Sequence, residues 1–206
     1  DAIGIPDIMD SYTFAQYFNR ASANKGGGDI FAPAVMERIK AYQEGTLKAT
    51  TVDNGAGIWQ KWANANGNTD WFEEFYDHWA PSQEHNLSIN GGTDKTQYLI
   101  SGSFLDQKGL MRHGSDKFQR YTLNGKITTA VTDWFKVTYS TKWTREDFER
   151  PTYLTGSFFH NLARKWPVHP AYDPNGFPMD EGEVEQMENG GKQNSQKDFY
   201  TNQLQL

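Results

Sequence analysis

Histidine and carboxylate side chains are the natural starting point for any chemistry in this chain. His78 and His85 lie near Glu74, Asp77 and Glu84. No metal-site spacing, such as a histidine pair one turn apart with a glutamate between, appears among them. Glu73 and Glu74 are adjacent, so on a helix they point in different directions and do not form a paired general acid and base; capping and solvation account for them. The Gly26-Gly27-Gly28 run has neither the Gly-Lys-Ser/Thr ending nor the preceding strand of a phosphate loop, and reads as a hinge. Asp53-Asn54-Gly55 and Asp173-Pro174-Asn175-Gly176 resemble pieces of calcium loops without the remaining acidic ligands, which leaves them as turns. The chain has no cysteine, which removes disulfides, thiolate metal sites and a cysteine nucleophile together. The expectation is no catalytic residue, no cofactor, no metal and no enzyme. Trp166, Tyr172 and Phe177 could stack on sugar faces or touch a partner, with packing against their neighbours as the competing role.

With chemistry thinly represented, function must lie in surfaces and in the elements that present them. The 206 residues carry 15% aromatics against only 36% apolar residues in all, so a core built here leans on rings. The net charge of −6 is scattered, without the Lys/Arg stripe that phosphate binding requires, so nucleic acid is not an expected partner. No run approaches the ~18 apolar residues of a spanning helix, and no basic-then-apolar signal opens the sequence; an export signal is expected outside it. Barrel strands need only about 9–11 residues, apolar on one face.

Residues 1–83 read as a helical, loop-rich connector. Phe14, Phe18 and Ala21 recur at helical spacing from Ser11 to Ala23. Pro33 opens a second helix with Val35, Ile39 and Tyr42 on one stripe and Gly45 as its stop. Residues 46–68 read as loop. Asp70 and Glu73 resemble a capping box for a third helix, with Phe72, Phe75, Tyr76 and Trp79 on one face until Pro81. Over residues 84–150 the period becomes two, predicting four antiparallel strands at Glu84–Asn90, Gln97–Leu105, Phe118–Thr129 and Trp134–Glu146. Their apolar positions are Leu87, Ile89, Tyr98, Ile100, Phe104, Tyr121, Leu123, Ile127, Phe135, Val137, Tyr139 and Trp143. Asn86, Ser88, Arg120, Thr122, Asn124, Lys126, Lys136, Thr138, Ser140 and Lys142 take the other side. Links alternate between short (Gly91–Thr96, Ala130–Asp133) and longer (Asp106–Lys117, beyond Arg150), the habit of barrels. Residues 151–206 lack a sustained period and read as one long loop, with a short helix near Phe158–Ala163.

Alternation alone is shared with soluble sandwiches, which bury one face against a second layer. The Lys, Arg, Asn and Thr of the polar side suit a wet lumen, and rings near strand ends suit interfacial girdles, so the apolar positions are expected to face lipid. The fold class expected is mainly β: a partial transmembrane antiparallel β-barrel of about four strands preceded by a short helical connector. A secreted carbohydrate-binding β-domain is the alternative.

Several ordered runs resemble one family. Asn68-Thr69-Asp70-Trp71, Ala80-Pro81-Ser82-Gln83-Glu84-His85-Asn86-Leu87-Ser88-Ile89 and Gly91-Gly92-Thr93-Asp94-Lys95-Thr96 are similar to the opening of the barrel in SusC/RagA-type TonB-dependent transporters of Bacteroidetes. Tyr98 to Phe104, Asp106-Gln107-Lys108-Gly109, Phe118-Gln119-Arg120-Tyr121 and Trp134-Phe135-Lys136-Val137 continue the pattern in order. The Ser11-Tyr12-Thr13-Phe14-Ala15 start resembles the segment just after the family's plug, so the likeness covers roughly residues 7–150, with an echo at Pro167 to Gly176. The resemblance implies a plugged barrel of about 22 strands in the outer membrane of a Gram-negative bacterium. It further implies import of oligosaccharides or peptides beneath a SusD-like surface lipoprotein. The signal peptide, TonB-contacting box, plug and most strands are not in this sequence, so the chain is expected to be a fragment. Its expected partners are the rest of the transporter, outer-membrane lipid, the SusD-like lipoprotein, and the TonB complex only through the missing parts. The final loop is expected outside the cell.

Overall fold

Asp10 starts the first helix: its carboxylate accepts from the Thr13 N–H at 2.9 Å, capping α1 (Ser11–Asn24). The computed structural model describes residues 7–53, 55, 64–179 and 182–206; Asn54 of the Asp53-Asn54-Gly55 turn lies outside them. Pro33 occupies the first turn of α2 (Pro33–Gln43), which stops at Gly45 in the left-handed region (φ +74°). The next helix, α3 (Trp71–Phe75), is capped by Asp70, whose Oδ1 accepts from the Phe72 and Glu73 N–H groups. Sequence periodicity predicted that this helix would run on to Pro81. It ends at Phe75 because Tyr76 is extended and the Arg112 N–H takes the Phe75 carbonyl at 2.9 Å, so a tertiary bond captures the helix end.

The chain divides into a helical unit and a sheet unit. The helical unit takes the described residues up to Asp77 together with Arg112–Gly114 and Thr152–Gly191. It also holds α4 (Gly156–Arg164) and α5 (Glu183–Asn189). Its core does lean on rings. Phe31 is fully buried with Phe14, Phe18 and Trp166 around it, their centroids 4.7–6.3 Å apart, and Ala15, Val35 and Ile39 fill the gaps. Residues 166–168 are stitched to this unit: the Gly67 N–H donates to the Val168 carbonyl, Thr69 N–H to Pro167, and the Trp71 indole to Trp166.

The sheet unit consists of β1 (Ser82–Gly92), β2 (Thr96–Lys108), β3 (Lys117–Thr132), β4 (Phe135–Pro151) and β5 (Lys192–Gln205). All pairs are antiparallel and the order is β1-β2-β3-β4-β5, an open sheet with β1 and β5 at its edges. Five strands replace the expected four. Residues 151–206, expected as one long loop with a short helix near Phe158–Ala163, hold that helix as α4 but add α5 and a strand paired with β4 from Thr138–Gln205 to Pro151–Lys192. The sequence of β5 lacks a legible period because Gln, Asn, Ser, Thr, Lys and Asp fill both of its faces, with only Phe199, Tyr200 and Leu204 apolar. β1 and β2 are joined by a tight turn. Gly92 sits at φ +155°, and a Cβ there would overlap the Thr96 carbonyl, which accepts from the Thr93 N–H at 2.7 Å.

Candidate functional site

Directly opposed residues in an antiparallel ladder share a face, so the register assigns every strand side chain. Rows on one face read Leu87–Gly102–Leu123–Trp143–Tyr200, then Ile89–Ile100–Gly125–Thr141–Asn202, then Gly91–Tyr98–Ile127–Tyr139–Leu204. Phe104 and Tyr121 begin the next row, and Val137 with Phe135 ends the face on β4. All the apolar positions picked out from sequence therefore lie together, joined by Tyr200 and Leu204 from the strand that was missed. The Tyr98 phenol ring lies over Gly91, filling the space a Cβ would occupy.

The opposite face is polar almost throughout. Its rows read Asn86–Ser103–Thr122–Thr144–Phe199, Ser88–Ser101–Asn124–Lys142–Thr201 and Glu84–Leu105–Arg120–Glu146–Lys197. Side chains bond across it, as where Asn124 donates to Ser101 at 3.2 Å and Thr128 meets Thr138 at 3.1 Å.

The apolar face is open. Leu87, Ile89, Ile100, Leu123, Tyr200 and Leu204 are each more than half exposed, and none of the sequence-selected positions is buried. Monomeric soluble proteins rarely expose a contiguous apolar patch beyond a few hundred Å². From Phe135 to Trp143 the band extends about 27 Å along β4 at ~3.4 Å per residue. At one margin it gives way to the Gln83–Asp106–Gln119–Asp147–Gln196 row. Just inside that margin Asp198 accepts from Arg145 at 3.0 Å and from the Trp143 indole at 3.0 Å, and the guanidinium lies 5.4 Å from the Trp143 ring centre. Within the band Asn202 is satisfied, its Oδ1 accepting from the Tyr139 and Thr141 hydroxyls at 2.9 and 2.8 Å.

The remaining candidates fall elsewhere. Trp166 belongs to the aromatic core of the helical unit, and its ring is partly buried there. Tyr172 lies 6.3 Å from His113, ring to ring, and Phe177 is 67% exposed beyond a tight turn. Asp173 makes that turn: its carboxylate accepts from the Phe177 and Asn175 N–H groups, which hold it below the ordinary carboxylate range, the Phe177 bond first. His85 stands on the apolar face of β1 opposite Phe104, at the band's margin. Among the described residues, no three His, Asp or Glu side chains gather as a metal site.

Sequence reasoning missed one cluster. Glu74, expected to be merely solvated, bonds His113 Nε2 at 2.9 Å, and Glu188 reaches Nδ1 of the same ring at 3.0 Å. No local signal links residues so far apart in the chain.

An open antiparallel sheet with one exposed apolar face and one polar face defines a class that includes the walls of membrane barrels. Over 70 residues the chain is 33% identical to TonB-dependent receptor P3 of Formosa agariphila, a match covering 34% of this chain and 7% of that receptor. The aligned stretch spans a small part of that receptor's length. No family model matches the chain, and no solved structure does.

Proposed function

We propose that this chain forms part of the wall of a TonB-dependent outer-membrane importer, with lipid against the face that carries Leu87, Leu123 and Tyr200 and a wet lumen against the face that carries Thr122, Asn124 and Lys142. The observation that carries the reading is the uncovered apolar band. The alternative, a secreted carbohydrate-binding β-domain, needs a second layer over those side chains, and they are exposed instead. The dimensions agree: about 27 Å along a strand tilted near 40° gives roughly 21 Å of height, close to the ~25 Å apolar belt of outer-membrane barrels. The Tyr, Trp and Arg–Asp cluster toward one margin suits a headgroup boundary.

In this reading the open edges of β1 and β5 pair with further strands of the same transporter, since each unpaired backbone group in lipid costs several kcal/mol. A plug, a link to the TonB complex and a SusD-like lipoprotein belong to the remainder of that assembly, and oligosaccharides or peptides are its cargo. This chain makes and breaks no bond. The test is the behaviour of the purified chain. It should aggregate or demand detergent, and it should not insert into liposomes as a single copy. A monodisperse monomer without detergent would favour the binding-domain alternative, and stable single-copy insertion would overturn the need for further strands.

A further inference from the structure

Three stretches of chain that are distant in sequence meet at one imidazole in the helical unit. His113 comes from the β2–β3 connection, Glu74 from α3 and Glu188 from α5. His113 is only 6% exposed, and its ring packs edge-on to Phe75 at 5.1 Å. Both nitrogens face carboxylate oxygens, at 2.9 and 3.0 Å. An ionised carboxylate only accepts hydrogen bonds, so satisfying both contacts requires N–H on both nitrogens, which is the imidazolium. A neutral ring has one N–H; its other nitrogen would set a lone pair against a carboxylate oxygen, and that contact repels.

We propose that His113 is a protonation-controlled latch: as the imidazolium it donates to Glu74 and Glu188 together and fastens the β2–β3 connection to α3 and α5, and loss of one proton releases one of the two carboxylates.

The surroundings are consistent with a latch of this sign. Burial alone would push the imidazole down, but the bonds from Glu74 and then Glu188 outweigh it, and the ring stays protonated above the usual histidine range. The other groups near it do not reverse this. Arg112, the neighbouring residue, is engaged by Asp77 at 3.2 Å and by the Tyr76 carbonyl. The Tyr172 phenol is pushed up by burial and by the same two carboxylates, so it stays neutral while the histidine titrates. A group raised in the folded state stabilises fully below its unfolded value near 6.5, and that contribution fades as pH rises through the folded value. The latch is therefore closed in acid and opens toward alkaline pH.

The latch lies wholly in the helical unit, so it stands or falls independently of the membrane reading. The experiment is histidine-selective NMR with amide hydrogen exchange, on the protein purified in detergent, from about pH 5 to about pH 9. His113→Gln identifies the resonance by its disappearance. If that variant fails to fold, Glu188→Gln identifies it by displacing one histidine alone, since Glu188 is well exposed on its outer side. The expected result is that His113 titrates above the ordinary imidazole range. Exchange in the β2–β3 connection and α5, corrected for its intrinsic pH dependence, should accelerate in step with that titration, while α1 and α2 stay unchanged. Glu188→Gln should move titration and acceleration down together. A His113 that titrates at or below the ordinary value overturns the proposal, as does exchange with no step at its titration.

Discussion

Placing arginine at Leu123 separates a lipid-facing sheet from a water-facing one by a margin that can be measured. Leu123 lies on the apolar face between Gly102 on one neighbouring strand and Trp143 on the other, one row inside the Arg145–Asp198 pair. Along β3 the nearest position in the polar marginal row is Gln119, about 14 Å away at ~3.4 Å per residue, beyond the reach of an arginine side chain. An arginine costs about 2–4 kcal/mol at the midplane of the hydrocarbon and about 0–1 at its edge, so one row inside the Arg145–Asp198 pair the substitution should cost about 1–2 kcal/mol, or roughly 5- to 30-fold in the folding equilibrium. In water a half-exposed leucine replaced by arginine changes stability by no more than about 0.5 kcal/mol. The control is Thr122→Arg, one residue away on the opposite face, where Ser103 and Thr144 are its direct neighbours. Asn124 is a poorer control, since Arg there would lose the Ser101 bond and stand directly opposite Lys142. Guanidinium unfolding of the complete protein in phospholipid vesicles reads both variants. A larger penalty at Leu123 than at Thr122 is expected. Equal penalties at the two positions, or none at Leu123, would refute the assignment of faces.

Other perturbations test the units separately. Phe31→Ala removes the centre of the aromatic cluster formed with Phe14, Phe18 and Trp166 and should destabilise the helical unit by about 3–5 kcal/mol, read by hydrogen exchange in α1 and α2. Asp10→Ala removes the cap of α1 and should cost about 0.5–2 kcal/mol, read by chemical denaturation. The Asp10 carboxyl is lowered to about 2, first by the Thr13 N–H and then by Gln43. Its contribution should therefore be complete above about pH 4 and vanish as pH falls through about 2, with no such acid limb in the alanine variant. Gly92→Ala forces a side chain into the Thr96 carbonyl at a positive φ and should weaken the β1–β2 turn by about 1–3 kcal/mol, visible as faster exchange in that hairpin.

How much of this was legible in the sequence follows from how far apart the interacting groups lie. The first four strands were readable because their side chains alternate locally, apolar against Lys, Arg, Asn and Thr, and period two fixes which residues share a face without knowledge of any partner. The starts of α1 and α2 were readable for the same reason, from a stripe and a proline. The end of α3 was not, because the bond that captures the Phe75 carbonyl comes from Arg112. β5 shows the opposite limit. Its face toward the apolar rows alternates Asp198, Tyr200, Asn202 and Leu204, so its local pattern resembles that of a polar loop, and only the register with β4 makes it a strand.

The same reasoning explains why the two candidate functions differ in legibility. A face that meets a solvent is written in a repeating pattern, since every position along the strand feels the same environment. A latch is written in single residues, one from each segment it joins, and Glu74, His113 and Glu188 have no pattern until the fold brings them within 3.0 Å. Trp166 makes the converse point. It is the kind of residue that could stack on a ligand, yet its ring is placed among Phe14, Phe18 and Phe31 because a chain poor in aliphatics must spend its aromatics on its core. A surface aromatic in this protein therefore carries more functional information than a buried one. By that criterion Phe177, on the tight turn that Asp173 holds, is the residue of the sequence-selected trio to mutate first when cargo or partner binding is measured.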